Sequence, residues 1–147
     1  MMSKRLLILW LCVCCFACDT GEIMKPYAYL SMKFIEDEDF VLMERIEGSW
    51  LPNKKQASLN AYGFKNERLS IYLPGLIQTG RYPNLTIKNI FYTDGADFNP
   101  IKVDSGFLEI TQMDSIQIGG TFRVTLEDEY NGIDHRTVIG NFIIYTR

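Results

Sequence analysis

Apolar and polar residues alternate along most of the chain after its first thirty residues. In residues 68–73 three apolar side chains share one face, and residues 122–126 repeat this pattern. A period of two is what a half-buried strand requires. Further apolar segments, separated by turn residues, lie at 32–35, 40–46, 57–64, 85–92, 107–113 and 137–145. About eight strands at this spacing predict an all-β domain, either a single antiparallel β-sandwich or a sandwich-like barrel.

Two of these segments are less regular than the others. Residues 40–46 are apolar without a clear period, so they fit either a strand or a helix of two turns. Within residues 85–92, Asn89 breaks the alternation, which predicts a bulge in that strand.

The first residues have the pattern of an export signal. Lys4 and Arg5 precede an uninterrupted apolar run over residues 6–17. This run is typical of a signal peptide and is shorter than the roughly 20 residues that a membrane span needs. We therefore predict a helical signal peptide over residues 1–17.

All four cysteines lie in the first eighteen residues, and Cys18 is the best candidate for lipid attachment. The ending resembles a bacterial lipobox, because Ala17 is the small residue expected before the lipidated cysteine. Cys15 stands where an aliphatic residue is usual, and Phe16 is bulky. Several acyl chains, palmitate among them, would anchor Cys18 stably in a membrane. Cleavage by an ordinary signal peptidase is the alternative, and it gives a secreted protein.

This processing divides the remaining chain into a lipidated N-terminus and short tether at 18–31 and a β-sandwich domain at 32–147. Thirteen of the fifteen basic residues and all eighteen acidic residues remain, so the processed chain is net negative by five charges. Such a balance argues against a nucleic-acid partner, which requires clustered Lys and Arg. The domain also has no cysteine for a disulfide, a thiol nucleophile or a thiolate metal site.

His135 is the only histidine and therefore the only candidate for histidine-based catalysis. With Asp134 or Glu129 it could form an acid–base pair. No serine lies in a Gly-x-Ser-x-Gly setting, and one histidine without cysteine does not build the usual zinc site. A hydrolase using His135 is thus an alternative, and no metal site is expected.

Two acidic segments have the oxygen-bearing residues of a cation site. Residues 36–39 are four consecutive acids, whose side chains alternate between faces on an extended chain and so do not converge. Residues 94–99 resemble a calcium loop faintly and lack its distal bidentate Glu. A solvated loop and a turn are the expected structures.

Aromatic residues and one arginine form the candidate binding surface. Trp50 is the only tryptophan after processing, and Tyr72 shares the polar face of its strand with Arg68. Exposed aromatic rings can stack on sugars or anchor a protein partner. The candidate surface is therefore Trp50, Arg68 and Tyr72, and filling of a β core is the other use of such rings.

Ser115 is a candidate for O-glycosylation. It stands in Asp114-Ser115-Ile116, which looks like the Asp-Ser/Thr-apolar acceptor of the O-glycosylation system of Bacteroidetes.

Three stretches carry a resemblance to a known group of proteins. They are Gly48-Ser49-Trp50 with the strand at residues 57–63, the strand at residues 69–73 with Gly80-Arg81-Tyr82, and the final hairpin from residues 118–124 through Gly140-Asn141-Phe142. These stretches resemble small uncharacterised cell-envelope lipoproteins of Bacteroidetes. The resemblance covers most of residues 40–147 and consists of strand and turn patterns. It implies an envelope lipoprotein with a β-sandwich-like domain, and it offers no catalytic residues.

We expect a non-enzymatic lipoprotein of the outer membrane, held by the lipid on Cys18 and facing either the periplasm or the cell surface. Asp19 and Glu22 only partly match the acidic signal for surface export. The β domain would bind a protein or a glycan or serve a structural role, without a cofactor. The main alternative is a small barrel that holds an apolar ligand among Leu69, Ile71, Val124 and Phe142.

Overall fold

The structure is a computed structural model that describes residues 28–36, 39–75, 77–95, 97–129 and 134–146. These residues form nine strands and one short 3-10 helix at Pro52–Lys54. The strands are β1 (Ala28–Phe34), β2 (Met43–Leu51), β3 (Gln56–Gly63), β4 (Arg68–Leu73), β5 (Gly80–Tyr82), β6 (Ile90–Thr93), β7 (Pro100–Met113), β8 (Gln117–Asp128) and β9 (His135–Tyr145). The predicted signal peptide and Cys18 lie outside the described residues.

The strands form two sheets that pack face to face. Sheet A has the order β1-β9-β8-β7-β5, and sheet B has the order β2-β3-β4-β6. Neighbouring strands are antiparallel throughout both sheets. The predicted all-β sandwich is therefore confirmed.

The space between the sheets is filled by side chains. Leu69 and Ile71 of sheet B and Val124 and Phe142 of sheet A are all buried to within 2% of complete. These are the residues that would line the interior of a ligand-holding barrel. Because they pack against one another as core, the architecture is a sandwich.

The alternation in β4 and β8 places side chains as the sequence predicts. In β4 the buried positions are Leu69, Ile71 and Leu73, and the intervening side chains face solvent to varying degrees. In β8, Arg123 is exposed between buried Phe122 and Val124. One apolar face in each sheet is what holds the two layers together.

The boundaries of several elements differ from the predicted ones. β1 begins at Ala28, so it includes residues 28–31 of the predicted tether. The ambiguous segment at 40–46 contributes the start of β2, with no helix. β5, at Gly80–Tyr82, is an additional short strand paired with β7.

The predicted bulge at Asn89 is instead part of a turn. The side-chain Oδ1 of Asn89 accepts hydrogen bonds from the backbone N–H of Thr86 at 3.1 Å and from its hydroxyl at 3.0 Å. The backbone N–H of Asn89 donates to the Thr86 carbonyl at 2.8 Å. These bonds close the chain on itself, so only Ile90–Thr93 remains as a strand.

The sandwich has two distinct ends. β1 enters at Ala28 beside Ile144, and the turn between β7 and β8 lies at this N-terminal end. The opposite, distal end carries the connections that follow β1, β3, β6 and β8. β1 separates the two ends by about 20 Å, at roughly 3.3 Å per residue.

Candidate binding sites

The distal end carries a cleft lined by exposed apolar side chains, which we call the distal cleft. It encloses about 520 Å³, and its rim includes Phe40, Leu42 and Phe64. These three side chains are 60%, 73% and 69% exposed. Phe34 and Tyr92, which are buried and meet edge to face at 5.1 Å, line its inner part. Exposed apolar residues grouped in this way are typical of an interaction site.

Backbone hydrogen bonds hold the two loops that form this rim. The N–H of Val41 donates to the carbonyl of Met32 at 2.9 Å, which fixes the β1–β2 connection against β1. In the β3–β4 turn the N–H of Gly63 donates to the Glu67 carbonyl at 2.8 Å, and Asn66 has φ +69°. Asn tolerates this left-handed conformation well. The turn places Phe64 in solvent beside Leu42 at the cleft.

The polar residues at the cleft are of both signs. Lys65, Glu67 and Asp39 contribute to its lining. The Glu67 carboxylate accepts the backbone N–H of Lys65 at 2.6 Å, so it stabilises the turn that presents Phe64. The site thus combines exposed apolar side chains with charged neighbours, as protein-binding surfaces commonly do.

The candidate surface of Trp50, Arg68 and Tyr72 is only partly formed. Trp50 is 2% exposed and belongs to the core, so its assignment to a binding surface was wrong. Arg68 and Tyr72 do lie on the outer face of β4, as predicted. The Tyr72 hydroxyl accepts a hydrogen bond from the Gln56 amide at 3.2 Å.

Two arginines lie over one tyrosine ring in the distal part of the outer face of sheet B. The guanidinium groups of Arg45 and Arg68 lie 4.4 and 5.7 Å from the ring centre of Tyr62. Arg45 also pairs with Glu47 at 3.3 Å. Arg68 therefore engages a neighbouring ring in its own sheet, while Tyr72 stands apart from it.

His135 has different neighbours from those predicted. Its Nδ1 lies 3.8 Å from Asp104, and its ligand-capable atoms come within 4.8 Å of Asp104 and Glu127. Of the predicted partners, Asp134 lies 3.8 Å from Arg136, and Glu129 accepts a hydrogen bond from the Asn99 amide at 2.5 Å. The described ion-pair partner of His135 is therefore Asp104, and its pairing with Asp134 or Glu129 in catalysis stays a prediction.

The Asp104, Glu127 and His135 group is a salt-bridge cluster with its own cation. Lys102 Nζ lies 2.5 Å from the Glu127 carboxylate. This hydrogen bond, and then the charge of Glu127, raises the pKa of Lys102 above its usual 10.5. Three such ligands could approach one cation, but Lys102 already supplies the positive charge at Glu127. His135 is exposed at the start of β9 and does not line the distal cleft.

In the predicted turn at residues 94–99, the Asp94 carboxylate accepts hydrogen bonds from within the protein. Asp94 Oδ1 accepts the N–H groups of Asp97 and Phe98 at 2.9 and 2.8 Å. Its other oxygen accepts from Arg136 at 2.8 Å. These contacts make Asp94 a turn-forming residue. An acidic residue in a turn is the feature that residues 94–99 share with a calcium loop.

Ser115 lies exposed in the turn between β7 and β8, at the N-terminal end. Asp114 Oδ1 accepts the backbone N–H groups of Ile116 and Gln117 at 2.7 and 2.8 Å. Asp114 therefore shapes the turn that presents Ser115. Ile116, the third residue of the acceptor-like sequence, is 63% exposed.

The comparisons with known proteins add no relative. A scan against protein-family models and searches of curated proteins and of solved structures each gave no match to this chain. Among the described residues, no helix has the length and apolar character needed to cross a bilayer.

Proposed function

We propose that this chain is a cell-envelope lipoprotein whose β-sandwich is a non-enzymatic binding module for a protein partner. The distal cleft is the observation that supports this most. Phe40, Leu42 and Phe64 expose large apolar surfaces around one concave site. Burial of such side chains by a partner is favourable, and aromatic anchors dominate the energetics of many interfaces.

The position of the cleft suits an anchored protein. A lipid on Cys18 would hold the membrane at the N-terminal side of Ala28, where β1 begins. The cleft lies at the other end of β1, about 20 Å further along the strand. The cleft therefore lies at the end of the sandwich opposite to Ala28, the described residue nearest the tether.

The anchor rests on the sequence pattern of residues 1–18 and is tested separately. Mass spectrometry of the mature protein should find acyl chains on an N-terminal Cys18, and Cys18→Ala should leave the membrane fraction. An unmodified N-terminus at another residue would instead support secretion. We place the acylated protein in the outer membrane, in agreement with the resemblance to lipoproteins of Bacteroidetes.

Site-specific photo-crosslinking on intact cells tests the partner. We would place the crosslinker at residue 42 or 64 and use residue 116 as the matched control. Ile116 is also apolar and exposed, at 63%, but lies at the N-terminal end. We expect a shared protein product from positions 42 and 64 that position 116 does not give. Identical products from all three positions, or none from 42 and 64, would contradict the proposal.

A hydrolase using His135 is less well supported by the geometry. The exposed imidazole faces Asp104 and the Lys102–Glu127 pair at the distal end of sheet A, and it does not line the distal cleft. Replacing His135 with Ala should leave partner crosslinking unchanged. Loss of a measured hydrolytic activity in that variant would favour the enzyme instead.

Ser115 is proposed as a modification site because its side chain is exposed in a turn. Glycopeptide mass spectrometry of the protein from its native cells should show a glycan on Ser115. Ser115→Ala should remove that mass without changing the neighbouring turn, which Asp114 forms.

A further inference from the structure

One row of residues on the outer face of sheet A carries two positive charges in an acidic chain. Strand register places Lys33, Ile139, Arg123 and Phe107 in one row across β1, β9, β8 and β7. The chain as a whole has a net charge of −3. Two cations in a single row of this sheet are therefore a local departure from the overall charge.

The adjacent row across the same strands is polar. Ser31, Asn141, Thr121 and Glu109 follow one another in register from β1 to β7, and Arg81 of β5 completes the row. Hydroxyl and amide groups thus lie directly beside the Lys33–Arg123 row. Glu109 is an acidic residue of this row, and Glu127 lies further along β8 on the same face.

The two rows enclose a groove of about 330 Å³, which we call the sheet A groove. Ser31, Asn141 and Thr121 lie along it with Lys33 and Arg123. Phe107 and Phe40 also contribute to its lining, so aromatic surface borders the polar groups. The volume is at the lower end of the range for small-ligand sites, about 300–1,000 Å³.

The two cations of the groove form no ion pair with the described residues. Neither Lys33 nor Arg123 has a carboxylate within 4.0 Å in the part of the chain that the structure describes. Lys33 lies 5.9 Å from the ring centre of Phe40. Arg81 stacks 3.7 Å from the ring centre of Phe107 and lies opposite Glu109 in the strand register. Such groups form strong charge-assisted hydrogen bonds with carboxylates and sulfates.

We propose that the sheet A groove binds an acidic saccharide, with its carboxylate or sulfate between Lys33 and Arg123. Ser31, Thr121 and Asn141 would bind the sugar hydroxyls, since these side chains both donate and accept hydrogen bonds. Phe40 and the face of Phe107 opposite to Arg81 would pack on the apolar face of the sugar ring. The groove would require a sugar unit with a negative charge, which either a uronate carboxylate or a sulfate group supplies. This site is separate from the protein-binding proposal, although Phe40 borders both.

Calorimetric titration of the full mature protein in detergent tests the groove. The probes are a trisaccharide of galacturonate, a sulfated galactose trisaccharide and neutral galactotriose as the matched control. We expect at least one acidic probe to bind about tenfold or more tightly than the neutral one, with an affinity that falls as salt rises. The probe that binds identifies the carboxylate or the sulfate as the preferred anion.

Variants of matched charge decide whether the binding occurs in the groove. Lys33→Gln and Arg123→Gln should each lower the affinity for the acidic probe about tenfold. Lys54 is an exposed lysine near the N-terminal end, and Lys54→Gln should leave that affinity unchanged. Asn141→Ala leaves the charge of the groove intact and should lower the affinity for the acidic and the neutral probes by the same factor. Equal binding of the acidic and neutral probes, no binding of either acidic probe, or equal losses in Lys33→Gln and Lys54→Gln would overturn the proposal. Crosslinking from positions 42 and 64 is read independently, so failure of one proposal does not decide the other.

Discussion

The indole Nε1 of Trp50 donates a 2.8 Å hydrogen bond to the backbone carbonyl of Asp114, 64 residues further along the chain. Trp50 ends the buried face of β2 in sheet B, and Asp114 begins the turn between β7 and β8 of sheet A. The bond therefore connects the two sheets at the N-terminal end. A backbone bridge between Trp50 and Thr146 lies at the same place.

Replacement of Trp50 by Phe should destabilise the domain by about 1–3 kcal/mol. The change removes the hydrogen bond to Asp114 and leaves space beside a smaller ring. Urea unfolding followed by circular dichroism measures the difference. Tyr72→Phe is the control, because Tyr72 is 43% exposed and should change stability by less than about 0.5 kcal/mol. Equal losses in both variants would contradict the core role of Trp50.

The sheet architecture could be predicted because burial on one face imposes a period of two. β4 and β8 show this period clearly, and their inward residues are the ones that the pattern indicates. β5 escaped prediction because it has three residues and none of them is buried. The prediction that Trp50 belongs to an exposed surface failed for a related reason. A single aromatic residue outside a clear alternating pattern does not indicate which face of its strand it occupies.

The binding sites depend on contacts that the linear pattern does not contain. The row of Lys33 and Arg123 forms only once β1, β9 and β8 are in register. Likewise, a register shift between Val103 and Ser105 in β7 accompanies the approach of Asp104 to His135. Local spacing suggested Asp134 instead, because the sequence shows only neighbours along the chain.

Gly140 should be intolerant of even a methyl group. A Cβ at this position would lie 2.4 Å from the Ser31 carbonyl oxygen and 2.7 Å from the Phe122 ring. The conflict with backbone cannot be relieved by side-chain rotation, so we expect Gly140→Ala to cost about 1–3 kcal/mol. Asn141→Ala, at the exposed neighbouring position, is the control for chemical denaturation. A Gly140→Ala protein as stable as this control would show that β1 and β9 can separate without cost.

Asp94 should stabilise the distal end more than its acidic neighbour Asp97. Asp94 accepts two backbone N–H groups and the Arg136 guanidinium, which also lies 4.8 Å from the Phe98 ring centre. Asp94→Ala should cost about 2 kcal/mol and speed amide exchange at residues 97–99. Asp97→Ala removes an exposed carboxylate and should be nearly neutral. Similar exchange rates in the two variants would argue against this role for Asp94.

The Lys102–Glu127 pair should make stability depend on alkaline pH. Because the Glu127 hydrogen bond raises the pKa of Lys102 above 10.5 in the folded protein, the charged form is favoured by folding. Its contribution is fully present below pH 10.5 and is lost as the pH rises through the raised value. Lys102→Gln should therefore show a shallower fall in unfolding free energy above pH 10.5 than the parent protein.

Lys54→Gln is the control for this titration, since Lys54 is exposed and has no ion pair among the described residues. It should retain the full alkaline dependence of the parent. The effect at neutral pH should be small in both variants, because solvent screens an exposed pair. Parallel curves for Lys102→Gln and the parent would show that the pair does not contribute to folding.

Phe64 should contribute to partner binding and little to folding. Its ring is 69% exposed, whereas Phe98, in the adjacent distal connection, is completely buried. Phe64→Asp should therefore change the unfolding free energy by less than about 0.5 kcal/mol, while Phe98→Asp should prevent stable folding. The folded Phe64→Asp protein should also bind less of a hydrophobic dye and lose the crosslinked product formed from position 42. A strongly destabilised Phe64→Asp protein would instead show that the ring packs as part of the core, which would remove the main support for a binding site at the distal cleft.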